Sequence, residues 1–201
     1  LSLREELDKL RKQRENVIGW VNSTCEEQKK MLEEWEFIND KNELLIPGKI
    51  AICFQEVFSF PFADMIAEKI FDSYTPQEII IAISCCTPLK LSDDNTVYSL
   101  DGAEIPPNAS NLIKILERKF NKYIDLFNKH SLCNVETTDF HLNLCEIISK
   151  WCMASNDIEC NGVLKTCKMY DIGLGDFVKS VLKIKNICNE IEKAATVINN
   201  V

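Results

Sequence analysis

Glycine and proline are scarce, six of each in 201 residues. That leaves little room for a turn-dense β sandwich and argues against a disordered chain. Histidine is scarcer still. His130 and His141 are the only two, which rules out a His-rich metal site, and neither stands in a nucleophile or metal motif. No CxxC occurs, and neither histidine lies at zinc-ligand spacing from a cysteine pair. A Gly-x-Ser-x-Gly elbow, a dinucleotide-binding glycine fingerprint and a phosphate loop are also missing, as is any internal repeat. No apolar run approaches the ~20 residues of a membrane helix, so no membrane partner is expected. Arg4, Glu5 and Glu6 charge the first turns, unlike a signal peptide. The chain opens at Leu1 already in helical pattern and reads as a piece of a longer protein. It also lacks a basic excess. With 23 Lys and Arg against 31 Asp and Glu, the net charge is −8, which excludes the broad basic surface of a sequence-independent nucleic-acid coat.

What is there reads as helix. Ten cysteines, four of them at seven- or eight-residue steps (Cys145, Cys152, Cys160, Cys167), fit reduced thiols used as small core hydrophobes. They point to an intracellular, reducing compartment; a redox or metal role is the alternative. Residues 3–35 form a long polar helix or a pair of helices. Its narrow stripe of Leu3, Leu7, Leu10, Arg14, Val17 and Val21 wants a partner helix. A small hairpin or extended excursion follows near 37–50, around Asn39-Asp40-Lys41-Asn42. A short helix spans 62–71. Thr75-Pro76-Gln77-Glu78 is a capping box opening a helix apolar on most sides, Thr75 and Glu78 being the reciprocal caps. Residues 91–111 read as a long loop. Helices are expected at 108–130, at 138–154 and at 156–168, the last interrupted near Asn161-Gly162. The final helix carries a seam of Phe177, Val181, Ile184, Cys188, Ile191, Ala195 and Ile198. The expected architecture is all-α: a multi-helix bundle over 36–201, with a helical arm over 1–35.

Two constellations have competing readings. Asp64, Glu68 and Asp72 share a helix face, which suits a solvated acidic surface better than a metal site without further ligands. On the last helix, Lys179, Lys183, Asn186, Glu190 and Lys193 form a polar stripe opposite the apolar seam, over about 20 Å at ~1.5 Å per residue. That reach follows several phosphates of a single strand, and it is equally the wet side of an amphipathic helix.

Several phrases resemble the C-terminal helical domain, often called DSHCT, of superkiller-type and exosome-associated DExH-box RNA helicases. They are Gly48-Lys49-Ile50-Ala51, Phe71-Asp72-Ser73-Tyr74-Thr75-Pro76-Gln77-Glu78 with Ser84-Cys85 after it, and Trp151. Cys167-Lys168-Met169-Tyr170-Asp171 follows, then Gly175 and a long helix ending in Ala194-Ala195. The resemblance covers about residues 25–200 and implies a helical bundle at the exit of an RNA channel. One long "ratchet" helix there touches the translocating strand. It places single-stranded RNA on Lys179, Lys183 and Asn186, and assigns Lys168, Asp171 and Gly175 to the turn before that helix.

It further implies that residues 1–35 are the returning helix of a stalk. ATP and Mg would bind in RecA-like motor domains elsewhere in the parent chain, with an RNA-decay complex as a further partner. The fragment itself would hold no catalytic residue and no cofactor. Lysines stand where the family favours Arg, so planar stacking on bases would be lost while phosphate contact stays possible. Asp176 replaces the usual Ser or Thr at the helix start, and residues around 156–161 are inserted. A free-standing helical protein-interaction module is the alternative reading, and a small enzyme a third.

Overall fold

The structure is a computed structural model describing residues 3–89, 91, 96–97, 99–129 and 140–199. Eight α-helices stand among those residues, with two short 3₁₀ turns, one isolated β-bridge and no sheet. The first helix, α1 (Leu3–Glu34), is continuous. No proline and a single glycine interrupt its charged, helix-favouring sequence. Its apolar stripe lies open: Leu3 is 87%, Leu10 59% and Val17 59% exposed, and Met31 is the one buried residue of the helix.

The end of α1 is a Schellman motif built on an acidic residue. Glu36 is left-handed at φ 58°. Phe37 N–H donates to the Leu32 carbonyl at 2.8 Å and Glu36 N–H to that of Glu33 at 3.0 Å, which satisfies two carbonyls of the last turn. Beyond it Asn39 Oδ1 accepts from the N–H groups of Lys41 and Glu43, both at 2.9 Å, and Ile38 bridges Leu44 antiparallel. The small excursion at 37–50 is therefore present as a single bridge followed by helix α2 (Ile46–Ala51). Gly48 is where α2 crosses the incoming chain. A Cβ there would overlap the Phe37 carbonyl oxygen, so only glycine permits this approach. Trp35 seals the junction edge-on against Phe60, Tyr123 and Phe127, with ring centroids 5.7, 5.4 and 5.2 Å away.

Helix α3 (Ser59–Ala67) starts earlier and ends sooner than the helix expected at 62–71. Lys69 turns left-handed at φ 55° and begins a 3₁₀ turn, Ile70–Ser73, which brings Phe71 onto Phe62 at 6.4 Å between centroids. The capping box then opens α4 (Pro76–Ile83). Thr75 Oγ1 accepts from Glu78 N–H at 3.3 Å, and Glu78 Oε2 accepts from Thr75 N–H at 2.8 Å. The Thr75 backbone bond foremost, and then the Asn108 amide donating to Glu78 Oε1 at 2.9 Å, hold the Glu78 carboxyl below its ordinary range.

Next come α5 (Pro107–Lys129), which buries Leu112, Ile113, Leu116 and Phe120, and α6 (Cys145–Met153). The expectation of helix from 138 to 154 fails over residues 140–144. Residues 138 and 139 lie outside the described residues. Residues 140–144 run unwound because their backbone and side chains are bonded elsewhere. His141 N–H donates to the Cys85 carbonyl at 2.8 Å, and Asn143 Oδ1 accepts from Val97 N–H at 2.7 Å. The expected loop at 91–111 gives way to α5 at Pro107; Lys90, residues 92–95 and Tyr98 lie outside the described residues. Helix α7 (Asp157–Met169) is capped by Asn156 and runs unbroken through Gly162, so the expected interruption is absent. Helix α8 (Leu174–Asn199) closes the chain. It packs against α2, α3, α4 and α7, while α4 also meets α5 and α6, so α3, α4 and α8 form the centre of the bundle.

Candidate nucleic-acid interface

The start of α8 is set by the turn that precedes it. The α7–α8 turn is a second Schellman motif: Asp171 is left-handed at φ 59°, Ile172 N–H donates to the Cys167 carbonyl at 2.8 Å, and Asp171 N–H to that of Lys168 at 3.2 Å. Buried Ile172 and Cys167 are the apolar pair that accompanies this cap. Lys168 thus shapes the turn through its carbonyl, and its side chain points to solvent. Gly175 is exposed within the first turn of α8, and a Cβ there would meet nothing. The turn makes no demand for glycine at that position. Asp176 lies inside the first turn rather than ahead of the helix, where its charge suits the N-terminal dipole.

The buried stripe of α8 is Phe177, Ser180, Ile184, Ile187 and Ala194. Phe177 meets Trp151 edge-on at 5.2 Å. The expected seam holds at Phe177, Val181, Ile184, Cys188, Ile191 and Ile198, all in or packed against the core, but Ala195 is exposed and Ala194 fully buried. Glu190, expected on the wet side, is found 8% exposed. Its Oε1 accepts from the backbone N–H groups of Gln55 at 3.0 Å and Glu56 at 3.3 Å. A buried carboxylate is tolerated when such donors replace its hydration. The α2–α3 connection therefore lies against the C-terminal half of the polar stripe, which is shorter than its sequence spacing implies.

Of the residues expected to touch RNA, Lys179 and Lys183 stand one turn apart. Lys179 is 80% exposed and pairs loosely with Asp176 at 3.4 Å, and Lys183 is half-buried. Asn186 continues the stripe, exposed, and its Nδ2 donates to Glu56 Oε1 at 2.9 Å. Beside these polar groups runs an apolar crest that reasoning from the sequence missed. Leu174, Val178 and Leu182 are 62%, 48% and 53% exposed, and their four-residue spacing is visible in the sequence. Glu56 and Glu190 give no such signal, because a helix-to-loop hydrogen bond 134 residues apart leaves no periodicity.

The acidic face of α3 is charge-neutralised rather than open. Asp64 Oδ2 receives Lys119 at 3.3 Å and Lys122 at 2.8 Å, and its Oδ1 accepts from Tyr123 Oη at 2.8 Å. Lys119 also pairs with Glu68. Burial pushes the Asp64 carboxyl up, and the bonds from Lys122 and Tyr123 with the lysine charges outweigh it, leaving it below its ordinary value. Among the described residues no group of His, Cys, Asp and Glu side chains could hold a metal ion. No helix among them is long and apolar enough to cross a membrane.

Cys85, Cys86, Cys145 and Cys167 are buried and unbridged. Burial pushes the Cys145 thiol up to about 12 and raises that of Cys85 as well, so both are inert core groups at neutral pH. His130 and Cys133 lie outside the described residues.

The described residues form an all-helical bundle closed by a long C-terminal helix. The chain belongs to the DSHCT (NUC185) domain family, which matches residues 41–201. No curated protein matches it at a significant level.

Proposed function

We propose that α8 contacts single-stranded RNA as part of an ATP-dependent RNA helicase that unwinds 3′ to 5′ in RNA processing or decay. ATP and Mg would be held by RecA-like motor domains of the same parent chain. The observation that carries this reading is the pair Lys179 and Lys183, one turn apart beside Asn186 on the helix that closes a DSHCT domain. Each ammonium is a point charge for a phosphate oxygen, and the apolar crest beside them offers nothing to read a base edge. The contact is therefore sequence-independent and mechanical: it holds the strand and resists back-slipping without doing chemistry.

Binding of a fluorescein-labelled 15-nucleotide oligouridylate, followed by anisotropy over a salt series, tests it. Changing both lysines to Ala should weaken binding and flatten the log–log salt slope by about 1.4, at ~0.7 for each phosphate no longer neutralised. Unchanged affinity and slope would remove RNA from α8.

The exposed crest of Leu174, Val178 and Leu182 favours a second reading, in which α8 docks on another protein domain. Under that reading, Val178→Asp and Leu182→Asp abolish a protein contact while the lysine pair proves dispensable.

A further inference from the structure

The polar stripe of α8 does not run free to its end. It reads, in order, Lys179, Lys183, Asn186, Glu190 and Lys193, and Asn186 and Glu190 are already engaged by one short segment of chain. Asn186 Nδ2 donates to Glu56 Oε1 at 2.9 Å, while Glu190 fixes the same residue from below, accepting Glu56 N–H at 3.3 Å and Gln55 N–H at 3.0 Å. The half-buried Glu56 carboxylate is thus held by its own backbone next to the amide that would meet the strand.

We propose that Glu56 is an internal competitor for the strand at Asn186, one that caps the α8 contact after its two lysines and limits RNA affinity. This rests on the RNA reading of α8. The physical argument has two parts. A carboxylate and a phosphate cannot both accept from one amide at hydrogen-bond distance without facing each other, and their repulsion is weakly screened at that separation, well inside the ~8 Å Debye length of physiological salt. The carboxylate also arrives pre-positioned, because Glu190 has already fixed its backbone, so it occupies Asn186 at little cost in chain entropy. A strand following the stripe from Lys179 reaches Glu56 after about 10 Å of helix, at ~1.5 Å per residue. It must then displace the carboxylate or leave the helix. A contact capped in this way grips weakly and releases readily.

The test is a double-mutant cycle on the whole chain, read by anisotropy with the labelled oligouridylate. Glu56→Ala is expected to tighten binding about 3- to 10-fold, and the gain should shrink below about 2-fold when Asn186 is already Ala. Glu192→Ala, which removes an exposed carboxylate from the same helix, measures the general effect of one less negative charge. An equal gain in both backgrounds, no gain, or a gain matched by Glu192→Ala overturns the proposal. If Glu56→Ala fails to fold by circular dichroism, Glu56→Gln replaces it and must gain at least twice what Glu192→Gln gains. Loss of affinity on removing Lys179 and Lys183, with no gain at Glu56, would sink this inference alone; no loss at the lysines would sink the RNA reading itself.

Discussion

Helices α1 and α5 are both long and both amphipathic in sequence, yet they are stabilised in opposite ways. The 32 residues of α1 bury only Met31, whereas the 23 of α5 bury seven, from Ala109 to Phe127. The apolar positions of α1 form a one-residue-wide seam interrupted by Arg14, while those of α5 broaden into a face that meets α3 and α4. A seam supports a helix only against another helix; a face supports it against a bundle. The number of apolar residues matters less than the angular width over which they spread.

Paired substitutions sharpen that contrast. The largest difference is expected between Leu112→Ala and Leu10→Ala. Leu112 is fully buried in α5, and its truncation should cost about 2–5 kcal/mol in urea unfolding. Leu10 is 59% exposed, and its loss should stay within about 0.5 kcal/mol. Two of the helical glycines come next, with opposite signs. Gly48→Ala forces a methyl into the Phe37 carbonyl and should destabilise by about 3 kcal/mol. Gly19→Ala in α1 meets nothing within 4 Å and should stabilise the helix by up to about 1 kcal/mol, read as a gain in helicity by circular dichroism.

A pH series probes the α3–α5 contact. The folded-state value of Asp64 is depressed, so its contribution is present above the unfolded value of 3.8 and is lost as pH falls through the lower folded value. Thermal midpoints measured from pH 6 to pH 2 should fall at the acid end, and less steeply in Asp64→Asn. The smallest effect concerns the left-handed acidic caps. Glu36→Gly and Asp171→Gly should each stabilise by about 0.5–1 kcal/mol, because glycine adopts that conformation without the Cβ penalty. Unchanged midpoints would mean that the two side chains contribute more than their Schellman positions indicate.

The sequence carries the bundle legibly where periodicity is strong and local. Helix α5 lies within a residue of its expected ends, and the Thr75–Glu78 box sits where its four-residue signature places it. Legibility fails where a distant partner decides. Residues 140–144, expected to lie within α6, are unwound because Cys85 and Val97 bond them instead. Near the C-terminus of α8 Ala194 rather than Ala195 is buried, and Glu190, a residue type rarely buried without partners, is taken in because it finds two backbone donors in the α2–α3 connection. The lysines and Asn186 of the candidate interface are readable from helical spacing. The Glu56 bond on Asn186 is not, since no spacing rule reaches across 130 residues.

Gly48 has a mechanical consequence. Because α2 rests directly on the Phe37 carbonyl, the elbow between α1 and the bundle has a backbone contact at its centre, flanked by the Trp35 ring packing. Helix α1 is a lever of about 48 Å, at ~1.5 Å per residue, and its pivot is backbone against backbone. Phe37 meets α2, α2 packs against α8, and Glu190 of α8 holds the connection carrying Glu56. The base of that lever is thus joined, contact by contact, to the helix on which Lys179 and Lys183 stand.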